Sequence, residues 1–395
     1  MYLNQFLGYI LFKLNFLILT PKTYSFGGFY NSIFWGYKLK KKKKLKLIIA
    51  APFLNIHEKN IFSLYGLDIV FLILKKLSLI EKLLSIIFTI YLNFHLIILY
   101  ILRKSGIWKL LSKQINFFFS EFIGFYDSQN FNDFFQKKIN CKYDEILNVD
   151  INLGNLYEGE DSKKIAFCIK DNNYSKIKQM SSFMASNIKD CTKSLNYLIN
   201  NNYKIYRVGE KTMDYFKFSN ENYQDLYNVK NYKIQLNKTY AECAFYFGSS
   251  ASHGIIPEIF QKKKILINHV EHLELSYSQS LDNYVLFKKI FCNKDKKFLS
   301  FNEIFKRRLF NFTIISDSLN KKLIKLEDNT EDEIFESIVE FYETNYKNKK
   351  RDNSLINKYL FLRKECLNND EDNIPKFFQK FKCNIPEFFL KKYLD

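Results

Sequence analysis

The stretch Phe247-Gly248-Ser249-Ser250-Ala251-Ser252-His253-Gly254-Ile255-Ile256-Pro257-Glu258-Ile259-Phe260 decides how this chain reads. An apolar segment, Ala244 to Phe247, runs into it, and a second, Lys264-Ile265-Leu266-Ile267-Asn268, follows it. Lysine, asparagine and isoleucine are so abundant that they discriminate little, whereas glycine and proline are scarce. After Gly159 the only glycines are Gly209, Gly248 and Gly254, and Pro257 is the only proline between Pro52 and Pro375. A chain this sparing with glycine is expected to keep it where the backbone needs φ > 0 or where another group must approach closely. All three glycines fall at the ends of predicted strands, which makes those loops the candidate ligand site.

At 395 residues the chain can bury one large core or two of ordinary size. A net charge of +19 favours polyanions, nucleotides or an anionic membrane face. The excess is mostly lysine in a chain also rich in Asn, Ile, Phe and Tyr, which reads as a coding bias toward adenine and thymine, and no nucleic-acid partner is expected. Seven cysteines stand singly with no CxxC pair. That spacing points to a reducing compartment and free thiols, and away from a disulfide framework or zinc site.

Leu3 to Leu19 is apolar but interrupted by Lys13 and Asn15 and lacks a small-residue cleavage site, so no secretory signal is expected. A buried strand and shallow membrane contact both stay open. Phe26-Gly27-Gly28-Phe29 then reads as a turn feeding a helix whose N–H groups face an anion, or as a plain tight turn. The basic run Lys40 to Lys44 is either a solvated helix end or a phospholipid patch. Leu45 to Pro52 is expected to be a buried parallel strand that closes a βαβ unit with an earlier strand, with His57 and Glu58 beyond its C-terminal end. Leu83 to Leu102 approaches the length of a spanning helix, yet Asn93 and His95 sit near its middle. Its stripe of Ile86, Ile87, Ile90, Phe94, Ile97, Ile98 and Ile101 predicts a buried or membrane-surface helix instead. With lysines and arginines on both sides, it suits a monotopic protein on a cytoplasmic membrane face.

A second unit begins near Lys163. Ile165–Ile169, Tyr203–Gly209, Phe245–Gly248 and Ile265–Ile267 read as strands, and Cys191–Asn200 as a short amphipathic helix capped by Asn187 or Asp190. Strands alternating with helices imply a parallel, doubly wound sheet. Thr330 and Glu333 have capping-box spacing ahead of an amphipathic helix through Ile334, Ile338, Val339 and Phe341. The expected organisation is residues 1–160, 161–350 and a peripheral helical tail, 351–395. His269-Val270-Glu271-His272 resembles a metal pair but lacks a third ligand at a defined spacing, and no metal site is expected.

These segments, in this order, resemble a group of bacterial glycosyltransferases found among surface-polysaccharide enzymes. The resemblance rests on Lys170-Asp171-Asn172-Asn173-Tyr174, on Tyr203-Lys204-Ile205-Tyr206-Arg207-Val208-Gly209, and on Gly248 to Gly254 with the following proline and Asn268. Lys170 stands where that group carries arginine, Asn201 or Asn202 where it carries glycine, and His253 separates the serine–glycine pair. The resemblance implies an α/β protein of GT-B type, with two Rossmann-like lobes, parallel sheets and an inter-lobe cleft. It implies a metal-independent hexosyltransferase that uses a nucleotide-sugar as substrate with no separate cofactor. The acceptor is a glycan or lipid-linked molecule, and the enzyme is cytoplasmic, peripheral on the inner membrane face. Backbone and hydroxyls of Gly248, Ser249, Ser250, Ser252 and Gly254, with Gly209, would hold the diphosphate, Lys170 would supply a cation, and Arg207 would supply another or form a lobe–lobe salt bridge. Glu258 would take ribose hydroxyls or face its own helix N-terminus, and His253 is a base or phosphate donor or else a satisfied loop histidine. His253 and Asp171 are the catalytic candidates, and Gly27, Gly28 and His57 lie on the acceptor side. A non-catalytic nucleotide or carbohydrate scaffold, or a pyruvyl or phosphosugar transferase, remains the alternative.

Overall fold

The computed structural model describes residues 16–19, 40–42, 44, 46–49, 77–104, 163–173, 183, 185–209, 213–229, 232–249, 254, 256–260, 262–270, 272, 279–310, 312–368 and 382–395. The chain divides into two compact units, Met1–Leu156 and Tyr157–Asp395.

In the first unit β1 (Phe16–Leu19) pairs in parallel with β2 (Lys46–Ile49), so the apolar octet after the lysine run does join an earlier strand. Helix α1 (Leu79–Lys104) extends the expected 83–102 segment at both ends. Its start is set by Ser78, whose hydroxyl accepts from the Glu81 N–H at 3.4 Å while the Glu81 carboxylate accepts from the Ser78 N–H at 2.8 Å. This is the reciprocal capping arrangement of a helix N-terminus. Among the described residues, no helix is long and apolar enough to cross a membrane. Gly27, Gly28 and His57 lie outside the described residues.

The second unit is built on seven parallel strands: β3 (Lys164–Cys168), β4 (Lys204–Arg207), β5 (Tyr223–Asp225), β6 (Phe245–Ser249), β7 (Lys263–His269), β8 (Gln279–Phe287) and β12 (Lys382–Asn384). Their spatial order is β12-β8-β7-β6-β3-β4-β5. The central strands read as unbroken apolar runs because both faces are covered: Ile165 to Ile169 and Phe245 to Phe247 have no exposed surface. Helix α2 (Thr192–Asn200) follows a 3₁₀ turn capped by Asn187, whose side chain accepts from the Lys189 N–H. It buries Leu195, Leu198 and Ile199, and Asn202 takes φ 65° to turn the chain into β4. Helices α3 (Tyr232–Glu242) and α4 (Ile256–Ile259) connect β5 to β6 and β6 to β7.

After β8 the chain leaves the sheet. It forms an antiparallel layer of β9 (Lys289–Cys292), β10 (Lys297–Phe298) and β11 (Ile324–Glu327), with α5 (Phe301–Lys306) and α6 (Phe312–Asn320) in the connections. Helix α7 (Glu331–Tyr346) starts at the expected capping box, with Thr330 Oγ1 accepting from the Glu333 N–H at 3.2 Å and Glu333 accepting from the Thr330 N–H at 2.9 Å. It buries Ile334, Ile338 and Phe341, and Tyr342 meets Tyr203 and Tyr197 edge to face. Residues 351–395 are not the peripheral tail the sequence suggested. Helix α8 (Ser354–Asn368) buries Ile356 and Tyr359, β12 adds the seventh strand beside β8, and α9 (Glu387–Tyr393) buries Phe389 and Leu390. The charged residues of this segment hid an apolar face that only the sheet edge reveals.

Candidate functional site

The sheet reverses direction between β3 and β6. From β3 the chain builds outward through β4 and β5, and from β6 it builds the other way through β7 and β8. Open α/β sheets bind ligands outside the carboxyl ends of the strands at such a reversal. Here Cys168 and Gly248 pair across the two strands, and Lys170-Asp171 and Ser249 lie at their C-terminal ends. The Lys170 N–H donates to the fully buried Ser249 Oγ at 2.6 Å, and the Lys170 carbonyl accepts from the Ser186 N–H at 2.8 Å. Two of the predicted site residues, 79 positions apart in the chain, are thus joined directly.

The glycines have separate reasons. Gly248 admits no Cβ: it would collide with the Cys168 carbonyl and stand 2.6 Å from the Tyr246 hydroxyl. Gly209 has φ 150°, where L side chains are rare, and a Cβ there would strike Met213 Sδ. Gly254 is buried, yet its Cβ would make only ordinary contacts, 3.5 Å to Leu266 and 3.6 Å to Tyr246. Gly209 and Gly248 both border Cys168, and Gly248 and Gly254 both border Tyr246. The three glycines therefore converge, and the close neighbour at Gly248 is the adjoining strand, which is by itself a packing reason for glycine there.

Arg207 is also differently employed. It has no exposed surface; Nη1 donates to Tyr227 Oη at 3.0 Å, Nη2 to the Asp214 carbonyl at 2.8 Å, and Asp225 Oδ1 lies 3.6 Å away. Tyr223 and Tyr227 donate to the same Asp225 carboxylate, and burial followed by that negative charge pushes the Tyr223 phenol up. This is a charge-compensated cluster whose members all belong to the second unit. Asp171 is a clasp: its two oxygens accept from the Asn173 N–H at 2.9 Å and the Asp214 N–H at 2.6 Å. It holds the segment carrying Met213 and Asp214 against the end of β3.

The same edge carries Asn268, which the sequence resemblance already includes, and other residues that sequence reasoning missed. Lys288, buried just after β8, contacts Asp328 at 2.5 Å and donates to the Ala185 carbonyl at 2.7 Å. Asn268, at φ 50°, accepts from both the N–H and the side-chain amide of Asn329 at 2.7 Å. Ser186 Oγ, Asn268 Nδ2 and Asn329 Oδ1 are buried and carry no hydrogen bond among the described residues. The signal available in the sequence was Asn268 itself, at the end of an apolar strand; Ser186, Lys288 and Asn329 look like ordinary polar loop residues. His272, by contrast, is a core residue: it stacks on Phe287 at 4.0 Å with Nδ1 3.2 Å from Tyr359 Oη, and burial lowers its pKa well below the ordinary histidine value. No group of three metal-capable side chains occurs among the described residues. His253, Ser250 and Ser252 lie outside them, and of Glu258 only the main chain, in α4, is described. Elsewhere, a cavity of about 430 Å³ lined by Lys289, Lys297, Ser300, Glu303 and Lys392 belongs to the antiparallel layer and α9, and its lysines are matched by Glu303 and Glu333.

No family model, curated protein or solved structure matches the chain. The fold and site define an α/β protein with a seven-stranded parallel, doubly wound sheet whose polar residues gather at the strand reversal.

Proposed function

We propose that the chain is a metal-independent glycosyltransferase that binds a nucleotide-sugar at the β3–β6 reversal and transfers the sugar to a glycan or lipid-linked acceptor. In this reading the first unit is a second Rossmann-like lobe of a GT-B enzyme, and the protein works as a peripheral protein on the inner face of the cytoplasmic membrane. The observation that carries it is the direct Lys170–Ser249 contact at the carboxyl edge of a doubly wound sheet. A departing diphosphate needs N–H groups, hydroxyls and a cation around it. Lys170, Ser249, Ser186 and Asn268 at one edge are groups of those kinds.

One observation favours the second reading, a nucleotide or carbohydrate scaffold without catalysis: Asp171 and Arg207, the acid and the cation the chemistry would draw on, are both engaged by their own chain. Two measurements decide. Uridine and guanosine diphosphates at about 100 times Kd should add roughly 2.7 kcal/mol, several degrees of Tm. That shift should shrink in Lys170→Ala and Ser249→Ala variants; an undiminished shift puts the nucleotide elsewhere. Sugar release from a nucleotide-sugar panel then separates enzyme from scaffold, since a scaffold stabilised by nucleotides turns none over.

A further inference from the structure

Helix α1 is built inside out. Its polar residues Glu81, Ser85, Thr89 and Asn93, four apart, run along one side, and Glu81 and Ser85 are buried. Ser85 Oγ accepts from the Ile49 N–H at 2.9 Å and Thr89 Oγ1 donates to the Ile49 carbonyl at 3.3 Å, so this polar row finishes the end of β2. The apolar row points away. Leu79, Leu83, Ile86, Ile87, Ile90 and Phe94 are each between 50 % and 82 % exposed. At 100° per residue they fall within an arc of about 100°, and they run for about 22 Å along the helix. Scattered exposed apolar residues need no explanation, but a continuous row of this length does.

Charge lies at one end of the row. Lys40 pairs with Glu81 at 2.6 Å, which ties the basic run to the first turn of α1, and Lys41, Lys42 and Lys44 beside it are exposed. A second copy docking face to face would set this cluster against its own counterpart if the helices run parallel, or against the Arg103-Lys104 end of α1 if they run antiparallel, like charge in both cases, which disfavours it. Hydrocarbon beneath anionic headgroups satisfies both features at once: the apolar face sinks to the acyl boundary and the lysines meet the phosphates.

We propose that the outward face of α1, with Lys41, Lys42 and Lys44, is a membrane-docking surface that lays the helix in the plane of an anionic lipid interface. It deepens the peripheral-membrane part of the reading above and does not depend on the nucleotide site. The test is flotation of the full chain with vesicles of phosphatidylglycerol and phosphatidylcholine in equal parts, against phosphatidylcholine alone. Wild type is expected to float with the anionic vesicles, and the Ile86→Asp/Ile90→Asp variant to partition at least about a hundredfold more weakly. The Lys41→Glu/Lys42→Glu/Lys44→Glu variant should lose the preference for anionic over neutral vesicles by roughly tenfold or more. All of these positions are exposed, so circular dichroism and any nucleotide-induced Tm shift should be unchanged, which separates failure of docking from failure of the nucleotide reading. Wild type that ignores anionic vesicles, or an Asp variant that floats as well as wild type, overturns the proposal. A dimer, seen by light scattering, that the Asp variant breaks while neither protein floats overturns it in favour of a second copy.

Discussion

Gly248 shows how far one residue can be read. Its scarcity value correctly marked a position where something comes close, but only the register of β3 against β6 says that the neighbour is the Cys168 carbonyl. Because that neighbour is backbone, Gly248→Ala is expected to cost about 1–3 kcal/mol, seen as a lower urea midpoint. Arg207→Ala leaves Asp225 with its phenols and no cation, at about 3–5 kcal/mol, and Arg207→Lys should recover little because the planar fork is lost. An equal loss of stability with and without nucleotide would bear this out; a loss seen only with nucleotide would make Arg207 a ligand contact. His272 gives a pH signature. Burial, with His269 and Arg363 nearby, holds its imidazole below the ordinary value of about 6.5. The unfolded chain therefore takes up a proton that the folded chain refuses, so this contribution is whole above that pH and is lost as pH falls through it. Between pH 7.5 and 5.5 the loss reaches up to about 1.4 kcal/mol, and denaturant titrations should show a correspondingly flatter profile for His272→Phe.

At the scale of elements, local chemistry carries furthest where both partners are close in sequence. Thr330 and Glu333, three residues apart, announced the start of α7, and Thr330→Ala should lower stability by about 1 kcal/mol in thermal melts. The strand after the lysine run was legible for the same reason, as an apolar run followed by a breaker. Helix α1 was legible as a helix but not in its orientation. A stripe of isoleucines looks alike whether it faces a core or a lipid, and only the bonds from Ser85 and Thr89 to Ile49 settle which side turns inward. The segment 351–395 misled for the opposite reason. Its lysines and acids mask Cys383, Ile385 and Leu390, which are completely buried once β12 pairs with β8.

For the molecule as a whole, the second unit holds the seven-stranded sheet and the described candidate site. A fragment of residues 157–395 is therefore expected to unfold cooperatively and to keep any nucleotide-induced stabilisation; loss of that stabilisation in a folded fragment would assign part of the site to residues 1–156. Period and punctuation in the sequence were enough for the alternation of strands and helices, hence for a parallel α/β sheet, and for the loops at its carboxyl edge. Those are local properties, set by backbone sterics and by which side chains must leave water. The strand order, the meeting of Lys170 with Ser249, the enclosure of Arg207 by Asp225 and Tyr227, and the seam of Ser186, Lys288, Asn268 and Asn329 were not legible. Each is a contact between residues far apart in the chain, and a polar side chain carries no mark of whether its partner will be solvent, ligand or another strand until the packing brings that partner to it.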